Sequence, residues 1–247
     1  MKPISMTLSI VFPCYNEGEI IAKTVRDAYS WMTKAKVKGE IVVVNDGSAD
    51  NTASVLSALQ QEVPTLVVVT HPHNRGYGAA IHTGCDTAKM DLIAFVDSDG
   101  QFHVSELEKF FSFFPAVDVV SGIRLKRADP FIRWLNSNLF RVFINAVLGL
   151  RMTDLDCGMK AFKREVWKKI VPVYATGAFF DAELFFNTKK NGLRLAEVPV
   201  HHFPRTSGHS TGAKLKVIVK AFRDLFRLLS HDGNIRHAVY PVLRAVR

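Results

Sequence analysis

LIAFVDSDGQF, residues 92–102, opens as an apolar run and ends in two carboxylates, Asp97 and Asp99, one residue apart and followed by Gly100. A run this short, with aliphatic and aromatic side chains and bounded by Asp, Ser and Gly, predicts a buried strand rather than a helix. Runs of the same kind recur as TLSIVFP (7–13), EIVVVND (40–46), TLVVVT (65–70), VDVVSG (117–122) and RLAEVPVHH (194–202), with helical patterns between most of them. That alternation predicts an α/β fold, a mostly parallel central sheet with helices on both faces. Three loops, PCYNEGE (13–19), NDGSADNT (45–52) and DSDGQFHVSE (97–106), then fall at the carboxyl ends of strands, the edge of an open sheet where ligands bind. Asn16 with Glu19, and Ser105 with Glu108, have capping-box spacing and predict helix starts just after the first and third of these loops.

Along a strand, side chains two residues apart point the same way, so Asp97 and Asp99 converge if the extended conformation persists through Ser98. Two carboxylates in a partly dehydrated cleft repel unless a cation joins them or one is protonated. A hard divalent ion, Mg²⁺ or Mn²⁺, removes the repulsion, and Gln101 can add a neutral oxygen. The alternative is an Asp-Gly turn that merely ends the strand.

Composition narrows the class. The 247 residues carry a formal net charge of +9, unevenly spread: residues 1–123 hold 9 Lys and Arg against 14 Asp and Glu, net −5, and residues 124–247 hold 23 against 9, net +14. An acidic, cation-using half is thus joined to a half that meets something anionic. Cys14, Cys85 and Cys157 form neither a disulfide framework nor a CxxC site, which points to a reducing compartment and small buried thiols. The amino terminus lacks a secretory h-region, and no apolar stretch approaches the roughly 18 residues of a membrane span. Two segments are amphipathic: 130–151, an apolar helical stretch broken by Arg133, Asn136, Asn138, Arg141 and Asn145, and 213–231, a basic helix with an apolar side. Each reads as a core-packing helix or as one lying in a membrane interface.

A dinucleotide fingerprint competes for the same region. Gly76-x-Gly78 follows a strand and precedes a helix, and Asp97 lies about twenty residues on. The third glycine position is Ile81, however, and a polar HPHNR segment separates strand from glycines, so NAD binding is set aside. His71, His73, His201, His202 and His209 lack metal-ligand spacing and read as loop polar groups.

The whole set of motifs resembles the nucleotide-sugar glycosyltransferases of family 2, of the GT-A fold: VFPCYNE, VVNDGSADNT, NRGYGAA, DSDGQ, DLDCGMKAF and FFDAELFF occur in the family's order between about Leu8 and Gly212. SGIR, PFIRWLNS, DCGMKAF and EVPVHHFPRTSGHS look most like the polyprenyl- or dolichyl-phosphate mannosyl- and glucosyltransferases. The resemblance implies a catalytic domain over 1–212, with 130–151 facing a membrane, and a basic amphipathic segment over 213–247. It implies that Pro13, Tyr15, Glu17, Val44 and Asp46, with Val96, Ser98 and the carboxylate pair, hold the nucleotide sugar; that Asp97, Asp99 and Gln101 hold Mg²⁺ or Mn²⁺; and that Arg124 and Arg205 meet the donor diphosphate. Arg133 and Ser137 match positions for an acceptor phosphate. Asp154, Asp156, Asp181 and Glu183 are implied as donor-hydroxyl ligands or bases, against salt bridges to Lys160, Lys163 or Arg194. Departures are Asn45 for the usual Asp, Thr211 where relatives carry a lysine, with Lys214 nearby, and Asp156 at a position often neutral.

The function implied is an inverting, metal-dependent transfer of mannose or glucose from GDP-mannose or UDP-glucose to a polyprenyl phosphate, peripheral on the cytoplasmic face of a membrane. The partners implied are the nucleotide sugar, the lipid phosphate and an anionic membrane surface, with room for a separate anchoring subunit and no role for nucleic acid. Alternatives are a family 2 transferase with a soluble or glycan acceptor, and a non-catalytic nucleotide-binding membrane adaptor.

Overall fold

A strand covered on both faces has no solvent side to alternate with, so its sequence reads as an unbroken apolar run. The computed structural model describes residues 6–114, 116–125, 131–204, 215–232 and 242–244. Over these the chain runs β1 (Leu8–Cys14), α1 (Ile21–Lys34), β2 (Gly39–Asn45), α2 (Thr52–Glu62), β3 (Leu66–Thr70), α3 (Tyr77–Thr87), β4 (Leu92–Val96), α4 (Glu108–Phe111), β5 (Val119–Leu125), α5 (Phe131–Leu148), β6 (Met159–Lys163), α6 (Trp167–Ile170), α7 (Phe180–Lys190), β7 (Leu195–His201), α8 (Leu215–His231) and β8 (Val242–Arg244). Every residue of β1 and β4 is buried, as their sequences predict.

The strands form one sheet in the order β3-β2-β1-β4-β6-β5-β7-β8. All neighbours are parallel except β6, which runs antiparallel to both β4 and β5. Leu8 pairs with Gly39 on one side and Leu92 on the other, so β1, β2 and β4 stop together at one edge. Alternation along them divides the core in two. Ile10, Phe12, Ile41, Val43, Ala94 and Val96 pack with α1 and α2, and Val11, Val42, Val44, Ile93 and Phe95 pack with residues of α3, α5, α7 and α8.

One expectation is corrected and one strand is added. The capping boxes do not form: α1 starts at Ile21 with no side-chain cap, and Ser105 lies inside a 3₁₀ turn, Val104–Leu107, ahead of α4. Asn16 takes a left-handed φ of 53° instead. Its side-chain oxygen accepts the Ala49 N–H at 2.8 Å, and its own N–H donates to Ser48 Oγ at 2.9 Å, lacing the first loop to the second. β6 is a strand absent from the sequence reading, its MKAFK carrying two lysines. Lys160 is fully buried all the same, with partners described below.

Within the basic segment expected over 213–231, α8 (Leu215–His231) buries Ala221, Leu225 and Leu228 in the second core layer. On its other side Val219 is 60% exposed and Phe226 71%. From α5, Leu139 is 61% exposed, and the rings of Phe143 and Phe222 lie 5.7 Å apart, so the two helices share one exposed apolar surface. Among the described residues no helix is long and apolar enough to cross a membrane.

In the middle of the buried stripe of α8 stands Asp224, 1% exposed, neither oxygen hydrogen-bonded among the described residues. Burial raises its pKa, while Lys220, Arg223 and Arg227 on the same helix lower it; from α7 it faces the carboxylate of Glu183, whose pKa it raises in turn. A group that binds its proton more tightly when folded stabilises the fold fully below its unfolded value, about 3.9, and that contribution is lost as pH rises through the folded value. Asp224→Asn is therefore expected to raise stability by about 1 kcal/mol at neutral pH and to flatten its decline as pH rises above the unfolded carboxylate value, as read by thermal denaturation against pH.

Candidate active site

The end of β4 delivers the carboxylate pair as strand alternation demands. Ser98, between the two, is buried and turns away: its hydroxyl donates to the Pro13 carbonyl at 2.5 Å and is also hydrogen-bonded to the Glu17 carboxylate. Glu17 N–H in turn donates to Thr52 Oγ1 at 3.0 Å, so the three strand-end loops are tied into one edge.

Asp97 is held on three sides. Its N–H donates to the Gly158 carbonyl at 2.9 Å, the Tyr77 hydroxyl donates to its Oδ1 at 2.8 Å, and a Cβ on Gly158 would stand 1.9 Å from Oδ2, so the position behind Asp97 admits no side chain. Asp99 is 4% exposed and accepts the Gln101 N–H at 3.0 Å. Gln101 spends its amide nitrogen on the Phe203 carbonyl, at 3.1 Å, which leaves its amide oxygen as an acceptor. Burial, and next the charge of Asp99, push the Asp97 carboxyl up to about 7. The site is thus unfavourable to its own negative charge, the condition a cation relieves.

Behind the pair lies a second charged group. Lys160, on β6, donates to the Cys157 carbonyl at 2.5 Å, pairs with Asp181 at 3.0 Å and sits 5.3 Å from the ring centroids of both Phe95 and Phe185. Burial raises the Asp181 carboxyl to about 6 against the opposing pull of Lys160. Asp181 Oδ1 is buried with no hydrogen-bond partner among the described residues. Burial also raises Asp156, which accepts the Ser137 hydroxyl at 2.9 Å.

The expected site residues therefore fall into groups. Asp97, Asp99, Asp156 and Asp181 interact electrostatically as one acidic cluster. Arg124 and Asp154 are each other's partners: Nε reaches Oδ2 at 2.7 Å and Nη2 reaches Oδ1 at 2.6 Å, with both side chains almost wholly buried. Asp46 spends both oxygens on the protein, Oδ1 on His71 Nδ1 (2.6 Å) and the Arg75 N–H (2.9 Å), Oδ2 on the Gly76 N–H (2.8 Å). Pro13, Val44 and Val96 are buried within β1, β2 and β4, whereas Tyr15 stands 43% exposed just past β1. Arg205, His209, Thr211 and Lys214 lie outside the described residues, as does the side chain of Arg133 on α5.

Glu183 departs from its expected place beside the donor. It is 1% exposed, and its carboxylate accepts backbone N–H groups of Val173 (2.6 Å), Tyr174 (3.1 and 3.2 Å) and Ala175 (2.8 Å). His71 likewise is no loop decoration but a buried link from Asp46 to Thr83 Oγ1, at 2.9 Å. Lys160 was expected as a salt-bridge partner of the acidic residues, and Asp181 takes it up. The residues that sequence reasoning missed are Tyr77 and Gly158: the only trace of the first was its place between two glycines, and the second lay inside a motif read for its aspartates and cysteine.

Parallel strands that bring laced loops and an acidic pair to one edge, with an antiparallel strand next to the pair, define the GT-A glycosyltransferase class. Glucosyl-3-phosphoglycerate synthase from Mycobacterium tuberculosis, solved with Mn²⁺, uridine diphosphate and glucosyl-3-phosphoglycerate, superposes with a TM-score of 0.71 at 20% identity over 93% of this chain and 81% of that one. The chain belongs to glycosyl transferase family 2, whose model matches residues 9–171. It is 29% identical to a dolichyl-phosphate beta-glucosyltransferase of Trichomonas vaginalis over 90% of this chain and 72% of the relative. It is 30% identical to the undecaprenyl-phosphate 4-deoxy-4-formamido-L-arabinose transferase of Pseudomonas fluorescens, over 90% of this chain and 65% of that protein. The protein is a glycosyltransferase.

Proposed function

We propose that this glycosyltransferase moves a hexose from a nucleotide sugar to a polyprenyl phosphate, with inversion and with a divalent metal at Asp97 and Asp99. The observation that carries the reading is the paired carboxylates at the end of β4, one of them raised to about 7 by burial and by the other's charge. Among the described residues no three His, Cys, Asp or Glu side chains are grouped to hold a metal. A two-carboxylate site fits Mg²⁺ or Mn²⁺, which keep waters and take substrate phosphate oxygens as further ligands. When bound, the ion supplies Lewis acidity to the departing diphosphate.

The chain's own residues do the rest. Asp181, kept largely ionised at pH 7 by Lys160, offers Oδ1 to a hydroxyl of the donor sugar. No strong base is required, because a phosphomonoester with a second pKa near 6 is already anionic at pH 7. Ser137, beside Asp156, and Arg133 and Arg205 are assigned to the two phosphate groups, and Arg124 to the donor side through its remaining N–H groups. Attack in line at the anomeric carbon gives a β-linked product from an α-linked donor.

Support for a lipid acceptor comes from the two relatives named above, whose acceptors are dolichyl and undecaprenyl phosphate. It also comes from the exposed apolar surface of α5 and α8, with Lys220, Arg223 and Arg227 on α8 suited to anionic lipid at the cytoplasmic face. The test is a panel of radiolabelled UDP-glucose and GDP-mannose with a short polyprenyl phosphate or 3-phosphoglycerate, each with Mg²⁺, Mn²⁺ or EDTA. Label is expected in the organic phase, with the lipid phosphate and a metal only. Transfer to the water-soluble acceptor alone would replace the lipid reading, and transfer undiminished by EDTA would remove the metal.

A further inference from the structure

Tyr77 is an exposed residue aimed inward. It is 36% exposed, yet its hydroxyl is 2.8 Å from Asp97 Oδ1. The ring packs with about a third of its surface left open, as a Phe ring would, so the hydroxyl contact is what distinguishes Tyr from Phe at this position.

The backbone that carries it is fixed from both sides. On one side Asp46 accepts the N–H groups of Arg75 and Gly76. On the other the Gly78 N–H donates to the Thr176 carbonyl at 3.1 Å. Gly76 stands at φ 101°, open to glycine and strained for other residues, and a Cβ there would lie 2.7 Å from Thr176 O. A Cβ on Gly78 would lie 2.7 Å from the Phe180 ring. The start of α3 is therefore wedged between β2 and the segment leading into α7, and the ring, with only two side-chain torsions, leaves its hydroxyl little latitude.

Across from Tyr77, Gly158 closes the other flank of Asp97 so tightly that no Cβ fits. Asp99 and Asp181 repel the same carboxylate. Lys160 opposes that repulsion from behind, Gly158 stands against Oδ2, and the Tyr77 hydroxyl is the hydrogen bond that holds Oδ1 in place.

We propose that Tyr77 is a positioning residue for the metal-holding pair: its hydroxyl fixes the Asp97 carboxylate in the orientation that receives the divalent ion. The inference rests on the metal reading given above. Hydrogen-bond partners of metal ligands typically contribute 10–100-fold in affinity, which sets the size of the effect.

The test is Tyr77→Phe, which removes one oxygen from an exposed ring. Binding of Mn²⁺ is followed by electron paramagnetic resonance with saturating uridine diphosphate, beside turnover at varied Mn²⁺. The dissociation constant for Mn²⁺ should rise about 10-fold, the Mn²⁺ concentration for half-maximal turnover should rise in parallel, and kcat at saturating metal should fall by no more than about 2-fold. The melting temperature of the metal-free protein should stay within about 2 °C of the parent. Mn²⁺ affinity within 2-fold of the parent overturns the positioning role and leaves the metal site standing. A parent protein that binds no Mn²⁺ overturns the metal reading itself, and this inference with it.

Discussion

Asp97→Asn is expected to reduce sugar transfer by about 10²–10³-fold, the usual cost of removing one preorganised electrostatic group from a reacting centre, while making the metal-free protein more stable. The two effects have the same origin. Asn has the shape of Asp, and its amide oxygen still accepts the Tyr77 hydroxyl; what disappears is a charge that burial and Asp99 oppose. Because the Asp97 carboxyl is raised to about 7 in the fold against about 3.9 unfolded, its contribution to stability is fully present below pH 4 and is lost as pH rises through 7. At 1.36 kcal/mol per pKa unit the penalty at pH 8 is on the order of a few kcal/mol. In EDTA, the melting temperature of Asp97→Asn should exceed that of the parent at pH 8 and the two should converge by pH 4. A variant that transferred sugar at the parent rate would remove Asp97 from the reaction. One that lost activity and stability together would make it a packing residue.

How much of this was legible in the sequence depends on what set each feature. β1, β2 and β4 are continuous apolar runs because both of their faces are covered, and nothing distant alters that reading. β6 was hidden because its buried Lys160 is stabilised by partners distant in sequence: Asp181 on α7 and the rings of Phe95 and Phe185. Asp97 and Asp99 were readable because local alternation alone brings them together. Arg124 and Asp154 were each readable as charged motif residues, but their pairing, thirty positions apart, follows from β5 lying beside β6 with residue 154 in the approach to that strand. Tyr77 could not be placed at all, since its direction is fixed by Asp46 on one side and Thr176 on the other.

The same i, i+2 spacing of acids occurs twice and has opposite outcomes, which explains the one site residue that moved. At the end of a strand it puts Asp97 and Asp99 on one side. In α7, at 100° per residue, it turns Asp181 and Glu183 about 200° apart. Asp181 therefore meets Lys160, and Glu183 faces away into the Val173–Ala175 segment. Glu183→Ala is accordingly expected to act on stability. It leaves three backbone N–H groups without their acceptor, and at about 1–3 kcal/mol for each buried donor left unsatisfied, partly offset by water entering the gap, the loss should be about 3–5 kcal/mol. For a chain of this size that is a fall of roughly 10 °C in melting temperature, with a matching shift in the urea midpoint. Glu183→Gln keeps one acceptor oxygen but turns an NH₂ toward the same N–H groups, so it should recover only part of the loss. Had Glu183 acted on the substrate, Ala would abolish transfer in a protein that melts normally. The structure requires the reverse order: the melting transition shifts first, and activity declines because Thr176, which closes this segment, also seats Gly78 and so the loop that aims Tyr77 at Asp97.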